Sequence, residues 1–236
     1  RFGQGTGLDG HSFGNLFIAA MTGVTGDFAQ AIRQSSKVLA VRGRVLPSTM
    51  QSVTLCAEVS DDQHQIQGES QIPRAGVPID RVFLQPDDVK GYGEAVQSLL
   101  SADVIVVGPG SLYTSILPNL LVRDIAAAIR ASEAAKLYVC NVATQPGETD
   151  GYTVADHVRT IENHVGDGLF DYVLANSRLD VTLPADWKTA MVRPDGESPV
   201  RLWSADVVDV ERPWRHDPAK LARELLKIQT ESKSRR

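Results

Sequence analysis

Cysteine is almost absent from this sequence, and the two that occur, Cys56 and Cys140, lie inside the apolar runs TLCAEV and LYVCNV. Cysteines in such runs act as small buried hydrophobes, and two of them imply no disulfide framework. Clustered positive charge is missing too. Lysine and arginine are scattered until the terminal SKSRR, and 24 basic residues face 29 acidic ones, for a net charge of −5. A nucleic-acid partner, which needs a clustered basic face, is therefore not expected. No apolar run reaches the roughly 18 residues that a membrane-spanning helix needs. The start of the chain shows no signal-peptide pattern, so the expected location is the cytoplasm, without membrane insertion.

Several chemistries lack their motifs. The sequence has no C-x-x-C or H-E-x-x-H for zinc, no phosphate-binding G-x-x-x-x-G-K-[ST], and no G-x-S-x-G nucleophile elbow. The residues Gly5, Gly7 and Gly10 satisfy G-x-G-x-x-G, but only four residues precede them and no strand can lead into the loop. That match carries no weight.

What is present is enough apolar residue, 42% of 236, to bury the core of one α/β domain. Helical spacing runs from Asn15 to Ala20 and again from Phe28 to Ala40, the second behind a possible N-cap at Asp27. Alternating runs at 53–59 and 64–72, separated by SDDQ, read as an antiparallel β-hairpin occupying residues 53–72. Ile79–Leu84 is a further strand and Asp88–Leu100 a helix. The short continuous run DVIVV, Asp103–Val107, has the character of a strand buried on both faces. Alternation follows: helix from Ile116 or Asn119 to Ala131, strand Lys136–Val142, helix Tyr152–Val165, strand Asp171–Ala175. This βαβαβ pattern predicts a Rossmann-like three-layer α/β sandwich, mainly parallel, with the hairpin inserted. Runs at Trp187–Val192 and Val200–Val210 and a helix from Asp217 to Gln229 complete a single domain over residues 1–236.

In a parallel sheet the ligand crevice lies at the carboxyl ends of the strands, and two strands here discharge into polar loops, GPGSLYTS and VATQPGETDGYT. In the first, Gly108 and Gly110 permit close backbone approach, while Ser111, Thr114 and Ser115 set hydroxyls beside amides at a helix start, as a phosphate or carboxylate requires. The same hydroxyls also serve as simple helix caps. The second loop adds Asn141, Thr144, Gln145, Glu148 and Asp150. Glu148 or Asp150 can hold a metal or orient a sugar hydroxyl, or else cap the helix that starts near Tyr152. His11 and Asn15 lie one helical turn apart and can face one ligand. Arg42 and Arg44 offer charge to an anion, or form surface ion pairs. Arg215 precedes a helix with Asp217 as N-cap and Pro218 in its first position, and can reach a phosphate there.

In this order TGLDGHSFGNLFIAAMT, LAVRGRVLPST, GPGSLYTSILPNLLV, YVCNVATQPGETDGYTVADHV and RHDPAKLA resemble the YvcK-like branch of the family that also contains 2-phospho-L-lactate transferase. The resemblance runs over nearly the whole chain. It implies a cytoplasmic gluconeogenesis factor associated with cell shape and cell-wall precursor supply, with a UDP-sugar such as UDP-N-acetylglucosamine as ligand. The transferase branch instead implies magnesium-dependent transfer from a guanylylated donor. Members of the family begin with a strand, a Gly-Gly-Gly-Thr-Gly loop and an Asp-Asp-Gly-Gly segment. Neither motif is in this sequence, which is expected to correspond to the later two-thirds of such a protein. The aspartates near that segment are the natural magnesium ligands of the transferase branch, so a regulatory binding protein with no certain cofactor is expected ahead of an enzyme. Homo-oligomerisation is left open.

Overall fold

A computed structural model describes residues 13–40, 42–60 and 65–234. Its centre is a four-stranded, wholly parallel sheet in the order β4(Val104–Val107), β5(Ala135–Val139), β6(Tyr172–Asn176), β7(Arg201–Ala205). The period of two explains why the two central strands, β5 and β6, are almost continuously apolar, whereas the edge strands β4 and β7 keep exposed residues such as Val106 and Leu202. In β5 and β6, Leu137, Val139, Tyr172 and Leu174 point to one face, and Tyr138, Cys140, Val173 and Ala175 point to the other. Both faces are covered. On the first lies α7(Pro218–Ser234), through Leu221, Leu225 and Ile228. On the second lie α4(Leu117–Leu120), α5(Arg123–Ala131) and α6(Val154–Val165), through Leu117, Leu120, Ile125, Ile129, Val158 and Ile161.

A second sheet closes over these helices. It is antiparallel, in the order β2(Gln65–Gln67), β1(Thr54–Val59), β3(Ile79–Gln85), and it delivers Leu55, Ala57, Ile79, Val82 and Leu84 into the same core. The pairing of β1 with β2 agrees with the alternating pattern, but Ile72 leaves the strand. It is fully buried in a 3-10 turn, Ile72–Arg74. The remaining helices are α1(Phe13–Thr25), which packs on α2(Phe28–Val38), and α3(Gly93–Leu100). Asp27 caps α2 by accepting the Gln30 amide. Among the described residues, no single helix is long and apolar enough to cross a membrane.

Three elements differ from the periodic reading. The helix expected from Asp88 begins only at Gly93, because the preceding amides are satisfied elsewhere: Lys90 donates to Gln51 Oε1, Gly91 to Asp124 Oδ2 and Tyr92 to the Ser48 carbonyl. The helix expected to run unbroken to Ala131 is a π-helical turn, Leu112–Ile116, continuing into α4, and then α5 at 74° to it. Val122 takes extended backbone at the break. The run at Trp187–Val192 forms no strand. A 3-10 turn, Ala185–Trp187, leads to a single bridge from Met191 to Ala143, and the crossover from β6 to β7 is irregular.

Helix α6 carries two histidines held neutral, His157 buried and His164 half-buried. His164 Nδ1 donates to the Thr160 carbonyl while Nε2 accepts the Val82 amide at 3.0 Å, so a second proton would break the link between α6 and β3. His157 is fully buried, with Nδ1 on the Thr153 carbonyl. Burial holds both below the ordinary histidine value of 6.5. The unfolded chain therefore takes up protons that the folded one refuses, and stability is full above about pH 6.5 and falls as the pH drops through that value. The thermal midpoint should decline between pH 7.5 and 5.5, and decline less in His164→Gln. A midpoint rising over that range would contradict this assignment.

Candidate functional site

The carboxyl ends of β4 and β5 are adjacent, with Val107 opposite Tyr138. Their loops run side by side and border a cleft of about 900 Å3. Gly108 has a φ of 92°, and a side chain there would bring Cβ to 2.8 Å from the Val139 carbonyl oxygen. Close approach of β4's exit to β5 thus demands glycine. Gly110 is different. Its φ is not left-handed, and a Cβ would meet only Ser115 Cβ at 3.4 Å and Ile116 at 3.7 Å.

Glu148 ties the two loops together. The carboxylate is buried and accepts the Tyr113 amide at 3.2 Å and the Thr114 hydroxyl at 2.9 Å. Burial raises its pKa, and these hydrogen bonds act against the rise. The anion at this helical start is therefore the protein's own, and the Tyr113 amide, which the sequence reading leaves for a ligand, is occupied. Thr114 is likewise turned to Glu148. A second tie runs from Asn141 Nδ2 to the Gly110 carbonyl at 2.9 Å and to Gln145 Oε1 at 3.0 Å, with Gln145 Nε2 donating to Ser111 Oγ at 2.7 Å.

The far wall is built by the irregular crossover and the segment before α7. The Thr144 amide donates to the Ala190 carbonyl at 2.8 Å, the Ala190 amide returns a bond to Thr144 Oγ1 at 3.0 Å, and the Thr189 hydroxyl donates to the Thr144 carbonyl. After β7 the chain reverses, with the Asp209 amide donating to the Arg215 carbonyl and the Asp217 amide to that of Val207. Asp217 caps α7 through the amides of Ala219 and Lys220. This turn sets His216 against the end of β5, where Nε2 donates to the Cys140 carbonyl at 3.1 Å, leaving Nδ1 as the acceptor. Burial lowers the His216 pKa, so the ring is neutral near pH 7. The Arg215 guanidinium lines the cleft with no ion pair or hydrogen-bond partner among the described residues.

The cleft thus gathers Gly110, Ser111, Ser115, Asn141, Thr144, Glu148 and Arg215. Asn15 lies on α1 and is not among the lining residues. His11 falls outside the described residues. Arg44 is turned toward Ser98 of α3. Three lining residues carry no signal in the sequence reading of the site: Trp187, Trp214 and His216. The two tryptophans are 27 positions apart with no shared period, and only the folded chain joins them.

As a magnesium site the two acidic candidates do not fit. Both Glu148 oxygens are engaged inside the protein, and exposed Asp150 accepts the Gly147 amide at 2.7 Å. Among the described residues no three acidic, histidine or cysteine side chains converge.

A family model described as 2-phospho-L-lactate transferase CofD matches residues 1–226. The chain belongs to this family. Within it, the gluconeogenesis factor of Bacillus subtilis strain 168 is 43% identical over 243 residues, covering 97% of this chain and 74% of that protein. The gluconeogenesis factor of Halalkalibacterium halodurans is 54% identical over 176 residues, covering 75% of this chain and 54% of that protein. This CofD-family chain therefore spans about half the length of that relative and about three quarters of the Bacillus subtilis one. A crystal structure of a UPF0052 family member from Bacillus halodurans superposes with a TM-score of 0.85 at 45% identity, over 96% of this chain and 75% of that one.

The two glycines of the first loop should separate experimentally. Gly108→Ala forces a left-handed non-glycine residue against a backbone carbonyl, at a cost of about 1–3 kcal/mol or more. For a chain of this size that is a midpoint lower by about 2–4 °C per kcal/mol. Gly110→Ala should melt within about 2 °C of the parent. Equal loss in both variants would mean that the difference between their backbones has no energetic weight.

Proposed function

We propose that the cleft binds a nucleotide sugar, a UDP-sugar such as UDP-N-acetylglucosamine, and that the protein acts as a regulatory gluconeogenesis factor linking carbon supply to cell-wall precursors and cell shape. The observation that carries this reading is Arg215, a guanidinium without a protein counter-charge on the wall of a cleft whose facing loops present Ser111, Ser115 and Asn141. A diphosphate suits that arrangement: a planar cation on one side and the Ser111 and Ser115 hydroxyls on the other, the Asn141 amide being engaged by the Gly110 carbonyl and Gln145. The about 900 Å3 cleft has the size of a pocket for a ligand of this class. Glu148 does not oppose the ligand's charge directly, because its oxygens face Tyr113 and Thr114. The relatives' names supply the physiological setting, carbon metabolism.

A second reading is a transferase, favoured by the description of the family model. It assigns the same cleft to a phosphorylated donor, with magnesium held outside the described residues. The two readings part on the fate of the ligand. Incubation with UDP-N-acetylglucosamine followed by mass analysis should return it intact, whereas turnover would establish the transferase reading.

Replacing Arg215 by Ala should weaken binding by about 1.5–3 kcal/mol, roughly 10- to 150-fold, if the guanidinium makes a charge-assisted hydrogen bond to the diphosphate. Calorimetric titration measures it. Unchanged affinity in a folded Arg215→Ala protein would return the residue to the ordinary surface.

A further inference from the structure

The chain has three tryptophans, and they are used in two ways. Trp203 is structural. Its indole Nε1 donates to Glu224 Oε2 at 3.1 Å, and its ring packs against the cluster beneath α7. Trp187 and Trp214 instead lie against each other on the wall of the cleft, ring centroids 4.5 Å apart and planes tilted by 55°. Among the described residues neither of their indole N–H groups meets a protein acceptor. Trp214 is half-buried and seated on the core, while Trp187 keeps 44% of its surface exposed.

The position of Trp187 is held closely. The next residue, Lys188, takes a left-handed conformation, φ 50° and ψ 37°, one of two non-glycine residues with positive φ among those described. Directly after it, Thr189 and Ala190 are pinned to Thr144 by four hydrogen bonds. A large, half-exposed aromatic ring set beside a left-handed non-glycine residue and tied to the same loop that borders the cleft is costly as surface decoration. It suits a ligand with a flat heteroaromatic ring, because a base stacks on an aromatic face without needing a matched hydrogen-bond pattern.

We propose that Trp187 is the nucleobase platform of this cleft, with Trp214 behind it as a buttress. This rests on the nucleotide-sugar reading and adds which residue reads the nucleoside. The base lies on the open face of the Trp187 indole, and the diphosphate extends toward Arg215. The interaction is stacking, so it depends on the aromaticity of the base.

The test compares UDP with 5,6-dihydro-UDP, whose base keeps its carbonyls and N–H but loses aromaticity and planarity, by calorimetric titration of the parent, Trp187→Ala and Trp187→Phe. The parent should prefer UDP by about tenfold, the discrimination should vanish in Trp187→Ala, and Trp187→Phe should restore most of it. Equal binding of the two ligands by the parent, or a preference that survives in folded Trp187→Ala, overturns the platform. A titration of the parent with UDP-N-acetylglucosamine separates this from failure of the functional reading. If the sugar nucleotide binds and discrimination is absent, only the platform falls. If UDP is discriminated but the sugar nucleotide does not bind, the platform stands and the nucleotide-sugar reading falls. No binding of any nucleotide overturns both.

Discussion

The buried carboxylate of Glu148 is the constraint on which the geometry of the cleft depends. A charge taken out of water must be met by donors, and here they come from the opposite loop: the Tyr113 amide and the Thr114 hydroxyl. The consequence reaches in two directions. The π-helical turn that begins α4 is held at its open amino end by a side chain from another strand's loop. The loop after β5 is in turn prevented from swinging away from the one after β4. Tyr113 itself anchors the arrangement from below, its hydroxyl 2.8 Å from that of Tyr152 and its ring edge-on to His164. The antiparallel sheet is drawn in as well, since Pro73 sits so close to Gly147 that any Cβ there would lie 2.3 Å from the Pro73 carbonyl oxygen. Glu148 thus supports the cleft wall without being spent on a ligand.

The remaining groups of the cleft come from the segment before α7. Arg215 and His216 stand on a reversal fixed by backbone bonds between Asp209 and Arg215 and between Asp217 and Val207. The neutral His216 joins that reversal to the end of β5 through the Cys140 carbonyl. One guanidinium without a counter-charge lines the same cleft as the Ser111 and Ser115 hydroxyls, and the proposed nucleotide-sugar reading rests on that arrangement. In that proposal the aromatic corner at Trp187 and Trp214 takes the base. Glu148, the one carboxylate among the described residues lining the cleft, has both oxygens engaged inside the protein.

Much of this was readable from the order of residues, for identifiable reasons. Continuous apolar runs announce strands, so DVIVV, LYVCN and the strand at Asp171–Ala175 were legible, and with them the adjacency of two polar loops; DVIVV is not buried on both faces, however, because β4 is the edge of the sheet and Val106 is 40% exposed. The N-caps Asp27 and Asp217 were legible because capping is local. What could not be read was set by tertiary partners. The late start of α3 is decided by Gln51, Asp124 and Ser48, up to 44 positions away in the chain. The use of a helix-start amide by Glu148 rather than by a ligand depends on two loops meeting, and so does the pairing of Trp187 with Trp214. Of the two loop glycines, both looked alike as GPG, yet only Gly108 has the left-handed backbone. Local pattern locates a loop; it does not say which of its donors are already taken.

The central claim is that one cleft, between the loops after β4 and β5 and the reversal before α7, holds the ligand. Hydrogen–deuterium exchange with and without UDP-N-acetylglucosamine tests it most directly, because it reports on every backbone segment at once. The account predicts slower exchange in residues 108–116, 141–150 and 187–190 and in the reversal 209–217, with α3 and the β1–β2 pair unchanged. Protection confined to segments outside this cleft, or no protection at saturating ligand, would contradict it.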